Sequence, residues 1–161
     1  MAMKAILVPY DESFDNGIIK LMDRTIRAVC CNDYTDDEIE KWSPAGREQR
    51  LLEKLESSYA ILALIDGALA GFGNTEGSEI DCLYVSDEHQ KEGIGSMILQ
   101  DLEDKAFSYG NTIHVYSSIT AEGFFLSYGY RRIRENIVER DGVLIHNWYM
   151  EKRKDCGLPQ S

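Results

Sequence analysis

Apolar and polar positions along this chain alternate between two rhythms. Residues 4–9 form a short apolar run that predicts an opening strand. Residues 11–28 place Ile18, Ile19, Met22 and Ile26 on one helical stripe, with Val29 just beyond it. Residues 33–42 begin with polar turn formers and continue as a second, short helix that Ser43-Pro44 ends. Residues 47–55 carry Leu51, Leu52 and Leu55 on one side of a charged segment. Two apolar strands follow, at 58–65 and 69–74, around Asp66-Gly67, a strong hairpin signal. Gly71 and Gly73 either weaken the second strand or leave room for something packed close to it.

Residues 79–85, E-I-D-C-L-Y-V, read as a central strand. After Gly95 the rhythm changes: Ile94, Ile98, Leu102 and Ala106 recur every fourth residue, one face of a long helix. Asp101 and Lys105 make an acid-first i,i+4 pair on its other face, and Gly110 is expected to stop it in the left-handed conformation. A strand at 112–116 precedes a helix at 119–128, with Ser118 as its N-cap and Gly129 as its end. Residues 130–138 and 143–151 predict a last antiparallel pair around Asp141-Gly142. The series is mixed α and β, without repeats or linkers, and predicts one domain over residues 1–161.

Composition narrows the function classes. The 161 residues are 43% hydrophobic and 28% charged, ordinary values for a globular chain. No apolar run approaches the ~20 residues of a membrane span, and the apolar start is too short for a signal peptide. A cytoplasmic protein is the expectation. Cys30, Cys31, Cys82 and Cys156 lack C-x-x-C spacing, so reduced structural cysteines and no metal are expected. The net charge of −11 argues against nucleic acid as a partner. It favours cationic small molecules or basic peptide ends, although a solvated acidic surface explains the same balance.

The chemistry concentrates around Gln90-Lys91-Glu92-Gly93-Ile94-Gly95. A helix that begins at glycines offers unpaired backbone N–H groups and the positive end of its dipole, an anion site made of main chain. The competing reading is a tight turn, which uses glycine for the same steric reason. A mononucleotide P-loop is excluded, because no Gly-Lys pair occurs. A dinucleotide fingerprint fails as well: Ile98 stands where the third glycine belongs. On the preceding strand, alternation sends Glu79 and Asp81 to one face, and predicts Leu83 and Val85 on that face too.

The strand followed by Gln90 to Gly95 resembles the acyl-CoA-binding core of the GNAT superfamily of N-acetyltransferases, which carries [Q/R]-x-x-G-x-[G/A] at this place. A second match is S-I-T-A-E-G-F-F-L-S-Y-G-Y at 118–130, whose wording is similar to the YafP-like branch of bacterial GNAT proteins. Asp33-Tyr34-Thr35 followed by Trp42 resembles that branch near its N-terminus. The likeness runs from the first strand to about Lys152. It implies the GNAT fold, an α/β (mixed α+β) architecture with a central, mostly antiparallel mixed sheet flanked by helices.

The resemblance also implies roles. Acetyl-CoA would be the cosubstrate and an amine, with a cationic one favoured by the charge balance, the acceptor. Gln90, Lys91, Glu92, Gly93, Ile94, Gly95 and Ser96 would hold the pyrophosphate, with Ser118, Ala121, Phe124 and Phe125 along the arm. Ser118 is equally a helix cap. The backbone of Leu83, Tyr84 and Val85 would pair with the pantetheine, and the Leu83 N–H would face the oxyanion. Glu79 matches the family's basic glutamate; Asp81 and the absence of any dedicated base are the alternatives. Phe125 replaces the tyrosine that protonates the leaving thiolate in many members. Tyr128 is the candidate substitute, or a packing ring. Tyr34 and Trp42 either line the acceptor mouth or pack the N-terminal helices on the sheet. His114 reads as a structural histidine. The expected activity is acetyl transfer by direct attack in a ternary complex, in a monomer or homodimer; the alternative is a CoA-binding sensor with little turnover.

Overall fold

The computed structural model describes residues 4–154, so Cys156 lies outside the described residues. Its frame is one seven-stranded sheet in the order β1-β2-β3-β4-β5-β7-β6. The strands are β1 (Ala5–Pro9), β2 (Tyr59–Ile65), β3 (Ala68–Glu76), β4 (Glu79–Val85), β5 (Thr112–Ser118), β6 (Arg131–Arg140) and β7 (Val143–Arg153). Every neighbouring pair is antiparallel except β4 and β5. Three helices, α1 (Asp15–Val29), α2 (Asp36–Trp42) and α3 (Glu48–Ser57), precede β2; α4 (Ile94–Ala106) joins β4 to β5, and α5 (Glu122–Ser127) joins β5 to β6. This is the mostly antiparallel mixed sheet with flanking helices that the family resemblance implies.

The strand β2 reads Y-A-I-L-A-L-I because it is buried on both faces. Ile61, Ala63 and Ile65 join a core with Ile98, Leu99 and Leu102 of α4 and Phe125 of α5. Leu62 and Leu64 join the opposite core, with Ile18, Met22 and Ile26 of α1, Ile39 of α2 and Leu55 of α3. Gly71 and Gly73 make the α4 layer fit. A Cβ on Gly73 would stand 2.8 Å from both the Cys82 carbonyl and Leu102 Cδ1. Both hairpin turns take the left-handed pairs their Asp-Gly sequences require, with φ of 51° and 80° at Asp66-Gly67 and 50° and 81° at Asp141-Gly142.

Two of the predicted helix ends are built differently. The chain leaves α4 through a 3-10 turn at Phe107–Tyr109, and Gly110 is extended (φ 167°) rather than left-handed. Ser118 does not cap a helix: it is the last residue of β5, paired with Asn147. Its Oγ accepts the Ala121 N–H at 3.0 Å, closing a turn that delays α5 to Glu122.

Candidate functional site

The most consequential departure from the predicted pattern lies in β4. Cys82 pairs with Asn74, but Ile80 pairs with Thr75, so Asp81 is an extra residue, a β-bulge. Asn74, fully buried, holds it. Its Nδ2 donates to Asp81 Oδ2 at 3.1 Å and to Ser58 Oγ at 2.9 Å, while its Oδ1 accepts the Cys82 N–H at 2.9 Å. The bulge reverses the alternation. Leu83 and Val85 pack with Ile80 on the α4 face. Cys82 and Tyr84 pack on the α1–α3 face, where Asp81 meets Lys54 of α3 at 3.1 Å. Leu83 and Val85 therefore do not share a face with Asp81, contrary to simple alternation.

The same bulge parts β4 from β5. Their parallel pairing covers only Glu79 with His114 and Ile80 with Val115. The N–H groups of Cys82 and Ser86 turn toward β3, bonding Asn74 Oδ1 and the Ala70 carbonyl. By alternation the N–H groups of Leu83 and Val85 turn the other way, toward the gap. Tyr84 is a correction: its N–H belongs to the β3 side, and its ring stacks on Phe72 at 5.5 Å between centroids. Of the three predicted arm-binding residues, two present backbone donors to the opening.

A cleft of about 900 Å³ runs through this gap and is walled from both faces of the sheet. On the α4 face its walls include Gly93, Gly95, Ser96, Phe124 and Tyr128. Gly93 is left-handed (φ 85°) at the start of α4, with open space where a Cβ would lie, and Lys91 is left-handed as well (φ 62°). Gln90 Nε2 ties the turn to the Val85 carbonyl at 2.7 Å, which also accepts Thr25 Oγ1 at 3.2 Å. Glu92 turns to His89 Nδ1 at 3.2 Å, and Ile94 is buried, so its part in the cradle is its main chain. Gly95 has a packing reason for its missing Cβ: Phe124 would be 3.4 Å from it. The result is a 13-residue helix whose N-terminus opens on the cleft, with Gly93 and Gly95 leaving the main chain there approachable.

Further along, Ala121 and Ser118 line the cleft, although the Ser118 hydroxyl is engaged by the turn. Phe125 also touches the cleft wall, but it is 4% exposed and packs edge-on against Tyr130, chiefly a core ring. Tyr128 is not: it is 38% exposed, lines the cleft and lies 5.0 Å from the Phe124 centroid.

On the other face, Tyr34 lines the cleft but its hydroxyl is committed. It donates to the His146 carbonyl at 2.7 Å and accepts the Ile119 N–H at 2.9 Å, bracing the α1–α2 corner against β5 and β7. Burial pushes its phenol up to about 12. Trp42, edge-on to Tyr34 at 5.0 Å, also lines the cleft. Among the described residues, the charged side chains on the walls are the cationic Arg47, Arg50, Lys54, Lys91 and Arg140 and the acidic Asp81 alone.

The two candidate bases differ in surroundings. Asp81 is on the cleft wall, tied to Lys54 and Asn74. Glu79 lies beside His114, with Nε2 to Oε1 3.4 Å. Burial raises the Glu79 carboxyl above the ordinary glutamate value, and the negative charge of Asp81 adds to this, while His114 opposes it. Sequence reasoning had left His114 a structural role and did not find Asn74, Thr25, Lys54 or Tyr116, another phenol on the cleft wall. An asparagine inside a strand, a residue type depleted there, was the one available signal for the bulge. Cys82 is also on the wall, and burial then Asp81 push its thiol up, away from nucleophilic thiolate.

Comparison with known proteins agrees with this fold. Residues 30–153 match the acetyltransferase (GNAT) domain family model. The uncharacterized N-acetyltransferase YafP of Escherichia coli K12 is 30% identical over 127 residues, 79% of this chain and 81% of that protein. Among solved structures, a GCN5-related N-acetyltransferase from Rhodopseudomonas palustris superposes with a TM-score of 0.89 at 25% identity, covering 95% of this chain and 98% of its own. PaiA N-acetyltransferase from Thermoplasma acidophilum, solved in complex with coenzyme A, shares the fold at a TM-score of 0.73 and 19% identity, covering 94% and 99%.

Proposed function

The chain belongs to the GNAT acetyltransferase family, and from that premise we propose that it moves an acetyl group from acetyl-CoA to a primary amine by direct attack in a ternary complex. The observation that carries the reading is the gap between β4 and β5, which begins at the glycine turn of α4 and receives the N–H groups of Leu83 and Val85. In this reading the pyrophosphate sits on the main chain of 90–96, Lys91 adds the nearby cation, and Phe124 and Ala121 flank the arm. Acetyl-CoA supplies the activated thioester.

The remaining tasks fall to this chain's own side chains and main chain. The Leu83 N–H stabilises the developing oxyanion, a fixed donor that needs no reorganisation. Glu79 is the base. Glu79 is not among the residues lining the cleft, so in this reading it acts on the amine through water; burial raises its carboxyl toward the range in which a group can both hold and release a proton. His114 orients Glu79. Asp81, held by Lys54 and Asn74, fixes the bulge and the charge balance of the cleft. Tyr128, on the cofactor side, donates the proton that the leaving thiolate takes up. Because a thiol has a pKa of about 8.5, that help is modest. The raised Cys82 thiol supports direct attack over an acyl-enzyme.

Phe125, a buried ring where many relatives have a tyrosine, favours a second reading: a CoA-binding sensor that lacks efficient turnover. Free-thiol release from acetyl-CoA with a panel of amines separates the two. Release with any amine above the hydrolysis background is the expected result; tight CoA binding with no release from any acceptor would support the sensor.

A further inference from the structure

The charge of the acceptor end runs against the charge of the protein. The chain carries a net −11, yet Arg47, Arg50 and Arg140 all face the cleft on the α1–α3 side. Among the described residues, none of the three has a carboxylate partner. They are brought together from α3, from the turn before it and from the end of β6. Arg47 Nη2 is fixed by the carbonyls of Trp42 (2.5 Å) and Ser43 (2.9 Å), and Arg140 Nη1 by that of Lys41 (3.4 Å). These are the last carbonyls of α2, which carry the negative end of its dipole. Each contact uses one edge of a guanidinium that has five N–H donors in a planar fork. Burial lowers the pKa of Arg47, and the neighbouring charges of Arg140 and Arg50 lower it further.

Three guanidiniums on one side of the cleft, those of Arg47 and Arg140 anchored on one edge, and none with a carboxylate partner among the described residues, are set to receive an anion. The cradle for the cofactor phosphates is on the opposite face of the sheet, at Gly93. Beside the guanidiniums are the apolar side chains of Leu51, Val138 and Ile145. We propose that the acceptor amine carries a carboxylate, held by Arg47, Arg50 and Arg140, on an apolar body that packs against Leu51, Val138 and Ile145. This rests on the acetyltransferase reading for the identity of the reacting group and names the class of its substrate. The local field runs against the acidic balance of the whole chain, which at the level of composition favoured a cationic acceptor.

The test is calorimetry on protein saturated with CoA, so that the phosphate cradle is already filled. The probes are two matched pairs: L-phenylalanine against L-phenylalaninamide, and 6-aminohexanoate against its carboxamide. They place the carboxylate near to and far from the amine. In at least one pair the acid is expected to bind about ten-fold or more tightly than the amide, the worth of a charge-assisted contact. Arg50→Gln changes an exposed side chain on α3 that caps nothing. It is expected to remove most of that preference without weakening the amide, and Arg47→Lys to keep part of it. No preference in either pair, including no binding at all, overturns the proposal, as does an Arg50→Gln effect equal for acid and amide. Thiol release from acetyl-CoA on the same samples reads the transferase separately. Preference without release keeps the anion site and removes the transferase; release with amides favoured over acids does the reverse.

Discussion

The two ends of the cleft are made of different materials. The end proposed for the cofactor is main chain: the left-handed Gly93, the first turn of α4 and the N–H groups of Leu83 and Val85, all from one contiguous stretch. The end proposed for the acceptor is side chain: Tyr34, Trp42, Arg47, Arg50 and Arg140, delivered by α2, α3, β6 and the turns before the two helices, from distant parts of the sequence. A ligand shared by a whole family can be bound by backbone geometry, which tolerates sequence change. A ligand particular to one member has to be bound by side chains.

The largest effect expected to sharpen this comparison is at the chemistry between the ends. Glu79→Gln should lower kcat by ~10²–10⁴ while leaving acetyl-CoA affinity unchanged, since the cofactor end does not use that side chain. The pH dependence follows the same group. Its carboxyl is raised above the ordinary value, and the base form exists only above that raised value. Wild-type kcat/KM should therefore fall as pH drops through it, and Glu79→Gln should lose this limb.

Next in size is a variant that breaks both ends together. Asn74→Ala removes three hydrogen bonds and leaves the Cys82 N–H and one Asp81 oxygen without that partner. The expected loss is about 2–4 kcal/mol of unfolding free energy by chemical denaturation. Because the bulge opens the gap, acetyl-CoA affinity should weaken as well; an unchanged affinity would separate the bulge from the cofactor end. The smallest effect is expected for Tyr128→Phe, a decrease in kcat of about ten-fold or less, at or below the low end of acid–base contributions, with no change in either ligand's affinity.

This division also explains what could be read in advance. The strands, the hairpins and the order of helices followed from apolar rhythm and Asp-Gly turns, because each is set by neighbouring residues, whereas the architecture of the sheet came with the family resemblance. The glycine turn was legible for the same reason. The bulge was not: E-I-D-C-L-Y-V reads as a regular strand, and only its pairing across Asn74 reveals the extra residue. Nor was the fate of Tyr34, whose hydroxyl bonds the carbonyl of His146 on β7 and the N–H of Ile119 after β5. Arg47 and Arg140 reach one helix end from opposite sides of the fold, a meeting that no spacing in the sequence encodes.

The central claim is that the α4 turn and the parted strands form an acetyl-CoA site. Its most direct test is calorimetric titration of acetyl-CoA into wild type and into the double variant Gly93→Asp/Gly95→Asp, with thermal unfolding to establish that both are folded. The account predicts binding by wild type and a loss of about 100-fold or more in the variant, where the new carboxylates stand against the phosphate site and one occupies a left-handed position. A folded wild type that does not bind acetyl-CoA, or a folded variant that binds it equally well, would contradict the account.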